Sequence, residues 1–452
     1  MMEKFRFYIA MIMARLSFFG LKLLGRNATH LPGVIAVRIC PNVLEYLEVG
    51  QQFVAITGTN GKTSTTNMVV SFLEAQGVDL CANVMGSNIE GGIISALLTS
   101  TTFFGKSTKD VTVFEVDERA SLYIFPYIKP DLIAVTNLYR DSYARNAHVD
   151  YIVETLETSI PKSSTLILNG DDILTSNLMK DNKRRYFSIA PLRQEVEVKD
   201  SLIQDSVYCP VCDHPLTYDF QRYHHIGRVH CEQCGFTNAK PDYEVTGIED
   251  SQYILQEEGA QYTYHINTDN MSDHYNMLSA ISVLREMGYD HALIQAYFEN
   301  IKTVETRYDM VEKNDKRYVT MLSKDQNPVA NSRVFDFIRQ QESWGSRVIV
   351  MMNEAHGYEK EVRVVENMAW LYDANFEYLN IPEVKAIYCV GARAHEYQSR
   401  LALESFDLNK IHVCETLPED IESCDTVIIL HSTKNIPAAF RYRQQLIEKG
   451  VS

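Results

Sequence analysis

Between Phe53 and Gln76 a short apolar run, Phe53-Val-Ala-Ile-Thr57, breaks into Gly58-Thr59-Asn60-Gly61-Lys62-Thr63-Ser64 and then into a stretch patterned for a helix. Two glycines let main-chain amides close around an anion. The following helix aims the positive end of its dipole at the same spot, Lys62 adds a cation, and Thr63 adds a hydroxyl suited to Mg2+. The stretch predicts a phosphate-binding loop for ATP or GTP, with a plain strand, turn and helix as the alternative. The usual first glycine would fall at position 56, where the chain has Ile56, so the loop is a shortened variant.

A loop of this kind belongs at the carboxyl edge of a parallel sheet, and the flanking pattern agrees. From Phe53 to Tyr186 apolar runs alternate with helical stretches, with strands expected at 53–57, 79–83, 111–116, 131–135, 164–168 and 184–188. Ligands gather where such strands end. Glu115, closing Val111-Thr-Val-Phe-Glu115, is placed to hold Mg2+ against the phosphates, with a solvated strand end as the alternative; Asp117 and Glu118 carry no firm assignment. Thr136-Asn137 and Asn169-Gly170-Asp171-Asp172 also follow strands, the second equally readable as an ordinary turn.

With 452 residues the chain has room for two to four domains. A formal charge of -16 with no basic stripe argues against nucleic acid as the main partner. No cleavable signal is evident and the cysteines favour paired knuckles over a disulfide scaffold, so a reducing, cytoplasmic setting is expected. Phe5 to Leu24 is apolar but interrupted by Arg6, Arg15 and Lys22, a poor spanning helix. It reads as an amphipathic helix packed on the nucleotide domain or as one lying on the inner membrane face. Leu31-Pro-Gly marks a turn, and 41–47 a short helix.

The second strong motif is Cys209-Pro-Val-Cys212 with Cys231-Glu-Gln-Cys234. Paired knuckles of four thiolates make a closed tetrahedral shell, so a structural zinc ribbon is expected at about 205–240, with redox-active thiols as the alternative. His214, His224, His225 and His230 are expected to be bystanders or ribbon surface. Strand-like segments at 243–248 and 253–255 lead to a helix from Asp273 stopped by Gly288. After Thr306-Arg307-Tyr308-Asp309 a second α/β pattern begins, with strands near 347–352, 385–390, 410–414 and 426–430.

In order, Gly58-Thr-Asn-Gly-Lys-Thr63, Glu115-Val-Asp-Glu118, Thr136-Asn-Leu-Tyr-Arg-Asp141, the four-cysteine insert, Tyr275-Asn276 with Ala280, and Arg307 resemble the Mur ligase family, most closely its MurT branch. Asn327-Pro328, Trp370-Leu-Tyr-Asp373-Ala-Asn-Phe-Glu377 and Val390-Gly-Ala-Arg393-Ala are similar to the domain that follows the ligase core in that branch. The resemblance implies an N-terminal helical segment (1–50), a Mur ligase central ATP-binding domain with a parallel sheet, P-loop and inserted ribbon (51–307), and a C-terminal Rossmann-like α/β domain (308–452).

It also implies an ATP-dependent amide ligase of peptidoglycan synthesis, working with a GatD-like class I glutamine amidotransferase as a heterodimer. The D-glutamate α-carboxylate of lipid II would be activated as an acyl phosphate and amidated to D-isoglutamine by ammonia from the partner. Lys62 would neutralise the transferred phosphoryl group, Thr63 and Glu115 would hold Mg2+, and Asn276 and Arg307 would lie near the nucleotide. Asp373 would orient the partner's catalytic histidine, with a loop or cap aspartate as the alternative. Any glutamine hydrolysis comes in trans, because the cysteines outside the ribbon have no nucleophile-elbow setting.

Some segments depart from the family pattern. Asp141-Ser-Tyr-Ala144-Arg145-Asn-Ala-His148 replaces Asp-Gln-Leu-Asp-Arg-Tyr-Gly-Glu, Asp273 replaces an asparagine, Thr306 precedes Arg307 where glycine is usual, and Asn367 stands where an acid is usual. Lys324-Asp-Gln-Asn327-Pro-Val-Ala330 is longer than the family's compact segment, and extra chain lies between Ala355 and Trp370. A nucleotide-binding scaffold without turnover and a Mur-type amino-acid ligase on another carboxylate remain the other readings.

Overall fold

The computed structural model describes residues 2–84, 87–143, 148–192, 202–249, 252–265, 270–299, 308–324, 326–352 and 367–449. By contact the chain divides into two units. The first holds Met1–Tyr139, Val149–Val198 and Ser206–Val304; the second holds Arg140–His148, Lys199–Asp205 and Glu305–Ser452. The first fifty residues are thus part of the first unit rather than a unit of their own.

In the first unit the chain runs α1 (Met2–Leu23), α2 (Leu31–Ile39), β1 (Gln52–Thr57), α3 (Lys62–Ala75), β2 (Leu80–Ala82), α4 (Glu90–Ser100), β3 (Val111–Glu115), α5 (Ser121–Ile124), β4 (Leu132–Val135), α6 (Val149–Ser159), β5 (Thr165–Asn169), α7 (Ile173–Ser176) and β6 (Arg184–Ile189). It continues with β7 (Thr217–Tyr223), β8 (Ile226–His230), β9 (Tyr243–Glu249), β10 (Gln252–Glu257), β11 (Ala260–His265), α8 (Met271–Glu286) and α9 (His291–Phe298). All six strands expected before residue 190 are present, and only a 3-10 turn, Val43–Tyr46, forms where a short helix was expected at 41–47.

Nine strands form one sheet in the order β11-β10-β9-β6-β5-β4-β1-β3-β2. The strands from β2 across to β9 pair in parallel, while β9, β10 and β11 form an antiparallel edge. Helices cover both faces, so the inner strands must be apolar on both sides, and Phe53 to Ile56 are all buried. β1 lies between β3 and β4, where the winding reverses, and the crevice outside such a point is where a parallel sheet binds its ligand. α8 starts earlier than expected, at Met271, because Asn270 caps it by accepting from the Ser272 amide at 3.0 Å.

On one face, α1, α2 and α4 share the core through Phe7, Ala10, Met11, Ala14, Ala36, Ile93 and Leu97. Arg15 interrupts the apolar run of α1 for a reason: its guanidinium donates to the carbonyls of Leu98 at 3.2 Å, Thr101 at 2.6 Å and Thr102 at 3.1 Å, satisfying the C-terminal end of α4.

The second unit runs β12 (Tyr308–Lys313), β13 (Lys316–Leu322), α10 (Pro328–Gln340), β14 (Arg347–Met352), α11 (Trp370–Asp373), β15 (Val384–Val390), α12 (Ala394–Leu403), β16 (Ile411–Cys414), β17 (Thr426–His431) and α13 (Ile436–Lys449). Its six-stranded sheet has the order β12-β13-β17-β14-β15-β16 and is parallel except at β12. Phe335, Trp370, Tyr397 and Leu401 fill one face, and Ala439, Tyr442 and Leu446 of α13 the other. The hairpin β12–β13 was not expected from the pattern. Its two-residue turn, Asn314-Asp315 with φ of 54° and 59°, is the left-handed turn that suits the twist of paired strands.

α2 and α4 approach so closely that a Cβ on Gly33 would stand 1.9 Å from the carbonyl oxygen of Gly91. Gly33→Ala is expected to push the helices apart at a cost of about 1–3 kcal/mol. A melting temperature equal to that of the parent would contradict this.

Candidate functional site

The carboxyl ends of β1, β3 and β4 bring the loop residues together. Gly58 and Gly61 have φ of 118° and 88°, a region open to glycine. A Cβ on Gly58 would meet Thr136 Oγ1 at 2.4 Å, and one on Gly61 would meet Asn276 Oδ1 at 2.0 Å. The loop is pinned to the end of β4. The Thr59 amide donates to Asn137 O at 2.8 Å and the Asn60 amide to Asn137 Oδ1 at 3.0 Å, while Asn137 Nδ2 and Thr136 Oγ1 donate to Asn60 O at 2.9 and 2.7 Å. Thr59 Oγ1 accepts from the Tyr139 amide at 3.0 Å. Lys62, Thr63 and Ser64 form the first turn of α3, whose amides have no intrahelical partner and point into the loop.

Lys62 Nζ lies inside this cradle, donating to Gly58 O at 2.5 Å and paired with Glu118 at 3.2 Å. Burial alone would lower its pKa, but the charges of Glu118, Asp117 and Glu115 outweigh that and raise it, so it stays an ammonium. Glu118, like Asp117, has no firm assignment from the sequence alone. Thr63 Oγ1 donates to Glu115 Oε2 at 2.8 Å, and Asn88 Nδ2 donates to Glu115 Oε1 at 2.8 Å. A hydroxyl and a carboxylate within reach of each other are hard oxygen donors of the kind that suit Mg2+. Asn276, on α8, lies against Gly61, and its main-chain carbonyl accepts from Thr65 Oγ1 at 3.3 Å. Arg307 lies outside the described residues, as do Ala144, Arg145, Asn146, Ala147, Thr306 and the chain from 353 to 366.

The four cysteine sulfurs all lie within 4.8 Å of one another, with Cys209–Cys234 at 3.6 Å and Cys212–Cys231 at 3.5 Å. Sulfurs about 2.3 Å from a shared tetrahedral ion would stand about 3.8 Å apart, so the donor set and spacing fit zinc. Among the described residues it is the one group of at least three histidine, cysteine or carboxylate side chains so placed.

The hairpin β7–β8 grows out of this cluster and reaches back to the sheet, and none of the four histidines belongs to the cluster. His214 is exposed and His230 pairs with Asp219 at 2.8 Å, but His224 and His225 are buried at the hairpin turn rather than on a ribbon surface. The His225 ring lies 4.8 Å from that of Tyr139, and its Nε2 is 3.2 Å from Asp172 Oδ1. Gly170 and Asp171 form a turn after β5, but Asp171 and Asp172 have no exposed surface. Asp171 accepts from Arg228 Nε at 2.9 Å, Arg222 Nη1 at 3.3 Å, Tyr275 Oη at 2.7 Å and the Ile189 amide at 2.8 Å. Asp172 caps α7 and accepts from the Leu138 amide at 2.7 Å.

Burial pushes the Asp172 pKa up, but the charge and contact of His225, Thr175 and the Leu138 amide more than compensate, leaving it depressed. Its stabilising effect is therefore complete above the ordinary carboxylate range, near pH 4, and is lost as pH falls through its lower folded value.

In the second unit Asp373, the last residue of α11, is paired with Arg140 Nη1 at 2.6 Å and accepts from Tyr143 Oη. Arg140 Nε also donates to Asp205 at 3.0 Å. Burial first, then the bond to Asp373, pushes the Tyr143 pKa up to about 12.

Comparison with known proteins follows the same lines. Residues 56–207 match the family model "Mur ligase middle domain" and residues 324–438 match "MurT ligase C-terminal". The chain is 32% identical over 410 residues to a Staphylococcus aureus (strain N315) protein named lipid II isoglutaminyl synthase (glutamine-hydrolyzing) subunit MurT, covering 89% of each chain. A Streptococcus pneumoniae protein of the same name is 27% identical over 453 residues, covering 98% of this chain and 97% of its own. Among solved structures, a pseudomurein peptide ligase type C from Methanothermus fervidus has TM-score 0.64 at 18% identity, covering 91% of this chain and 81% of that one. MurF from Acinetobacter baumannii has TM-score 0.59 at 14% identity, covering 92% and 80%. These two establish the Mur ligase fold.

Asp171→Asn is expected to leave Arg222 and Arg228 without their buried countercharge and to cost about 3–5 kcal/mol, read as a lower unfolding midpoint. Unchanged stability would show that the carboxylate does not hold the hairpin to the sheet.

Proposed function

The chain belongs to the MurT branch of the Mur ligase family, and from that premise we propose that it is the ATP-dependent subunit that amidates the D-glutamate α-carboxylate of lipid II to D-isoglutamine. The observation that carries the reading is the 32% identity to the S. aureus subunit across 89% of both chains. The loop geometry supports it.

A carboxylate is a poor electrophile because its oxygen is a poor leaving group, so the reaction needs activation. A carboxylate oxygen attacks the γ-phosphorus of ATP, the bond to ADP breaks, and an acyl phosphate forms. Ammonia then attacks the carbonyl carbon, phosphate leaves, and nitrogen gives up a proton. The first-turn amides of α3 and Lys62 would hold the phosphates, and transfer of Lys62 from Glu118 to the phosphoryl oxygens would offset charge as it builds. Thr63 and Glu115, joined at 2.8 Å, would hold Mg2+, which would supply Lewis-acid polarisation of the phosphoryl group. Asn276 and Arg307 are assigned to the nucleotide's surroundings.

Ammonia is assigned to a GatD-like glutamine amidotransferase partner, toward whose histidine Asp373 would act as orienting acid. A lipid-linked substrate places the work at a membrane surface, although among the described residues no helix is long and apolar enough to cross one.

The four cysteines are assigned to one structural Zn2+ that orders the hairpin bearing Arg222, His225 and Arg228. Metal analysis should find about one zinc per chain. Chelation should lower the unfolding midpoint; a metal-free chain of undiminished stability would remove the structural role.

Phosphate release and D-isoglutamine formation should be followed with lipid II, ATP and Mg2+, with ammonium chloride in place of the partner and, in parallel, glutamine with a candidate amidotransferase. Turnover is expected with either nitrogen source and should fall at least about 100-fold in Lys62→Ala. ATP binding without turnover would favour a nucleotide-binding scaffold, and turnover that needs an amino acid would favour an amino-acid ligase.

A further inference from the structure

α1 presents two apolar faces, and only one is used by the fold. Phe7, Ala10, Met11 and Ala14 are buried in the core, at the spacing that lines one side of a helix. On the opposite side Phe5, Ile12, Leu16, Phe19 and Leu23 form a second stripe that faces solvent, with Leu16 60%, Phe19 61% and Leu23 88% exposed. Single exposed apolar residues are ordinary, but a continuous stripe along a 22-residue helix is not.

The patch does not end with the helix. Tyr8 stacks on Phe103 at 5.6 Å and meets Phe104 edge-on at 6.2 Å, which extends the apolar surface to a neighbouring loop where Phe104 is 69% exposed. That loop is firmly built: Gly105 O accepts from the Glu48 amide at 2.8 Å, and the Thr102 amide donates to Lys106 O at 2.7 Å.

Charge points to the occupant. In a chain of formal charge -16, the segment from Met2 to Arg26 carries Lys4, Arg6, Arg15, Lys22 and Arg26 against Glu3 alone. Arg15 is spent on the end of α4, whereas Lys4, Arg6, Lys22 and Arg26 are exposed beside the stripe. We propose that the outward face of α1, with the Phe103-Phe104 loop, docks the enzyme on an anionic phospholipid bilayer, the helix lying in the plane of the surface. An apolar stripe with aromatic side chains enters the boundary between headgroups and acyl chains while flanking cations meet anionic headgroups. A second copy of the chain fits less well, because a two-fold contact through this face would set the same cations against one another. The inference goes beyond the ligase reading and stands on α1 and the Phe103-Phe104 loop.

The test is co-sedimentation of the full chain with vesicles of phosphatidylcholine, with or without phosphatidylglycerol. Binding is expected on the anionic vesicles, reduced at least about ten-fold on neutral ones and in high salt. Leu16→Ser/Phe19→Ser and, separately, Lys4→Gln/Lys22→Gln should each lose binding at least about ten-fold with melting temperature and ATP binding unchanged. No binding to anionic vesicles, equal binding in the variants, or a parent dimer that the serine variant converts to monomer would overturn the proposal. Amidation of detergent-dispersed lipid II, measured beside it, reports on the ligase reading separately.

Discussion

Asp171 and Asp172 are two adjacent carboxylates with no access to solvent, and burying charge is tolerable only where it is met by charge and hydrogen bonds. The sheet cannot supply those partners alone. Arg222, His225 and Arg228 come from the hairpin β7–β8, Tyr275 comes from α8, and main-chain amides come from Leu138 and Ile189. A short two-stranded hairpin is not stable by itself, which gives the four cysteines at its base a physical purpose. Asp172 also fixes the loop after β4, and that loop holds Thr59 and Asn60. The nucleotide loop, hairpin and α8 are thus tied through one buried charged centre.

The pairing of Lys62 with Glu118 belongs to the same logic. A cation inside a cradle of amides and dipoles that favour anions would be poorly placed without a countercharge. Glu118 supplies one at 3.2 Å, and the surrounding carboxylates keep Lys62 protonated. A phosphate would take over the role of Glu118 rather than recruit a free lysine. The gain on binding is therefore the difference between two ion pairs, a smaller quantity than the pull of an unpaired ammonium, and one that rises as the transferred group gains charge.

Much of this was legible in the chain. The strand, glycine-bracketed loop and helix at 53–76, the strands through 188, the paired cysteines and the proximity of Thr63 to Glu115 follow from local chemistry and period. What stayed hidden depends on contacts distant in sequence. Nothing near Asp171 announces Arg222 or Arg228, which reach it only when the hairpin folds back, and the buried histidines looked like surface for the same reason. Glu118 lies beyond the end of β3 and needs the fold to bring it to Lys62. Arg15 looked like an interruption of α1 until the end of α4 arrived beside it. The hairpin β12–β13 does carry a signal, Asn314-Asp315 between strand-like runs, but the change of composition after residue 306 obscures it.

Asp373 shows how an engaged residue can still be available. Its contacts with Arg140 and Tyr143 both fall on Oδ2, and its side chain is 31% exposed. A carboxylate has about four acceptor positions on two oxygens, so Oδ1 can take an imidazole N–H while Oδ2 keeps its partners. Arg140 is itself anchored on Asp205. A carboxylate fixed in this way is better suited to orienting a histidine than a freely rotating one, because the ordering cost is met before the partner arrives. On this ground we propose Asp373 as the orienting acid.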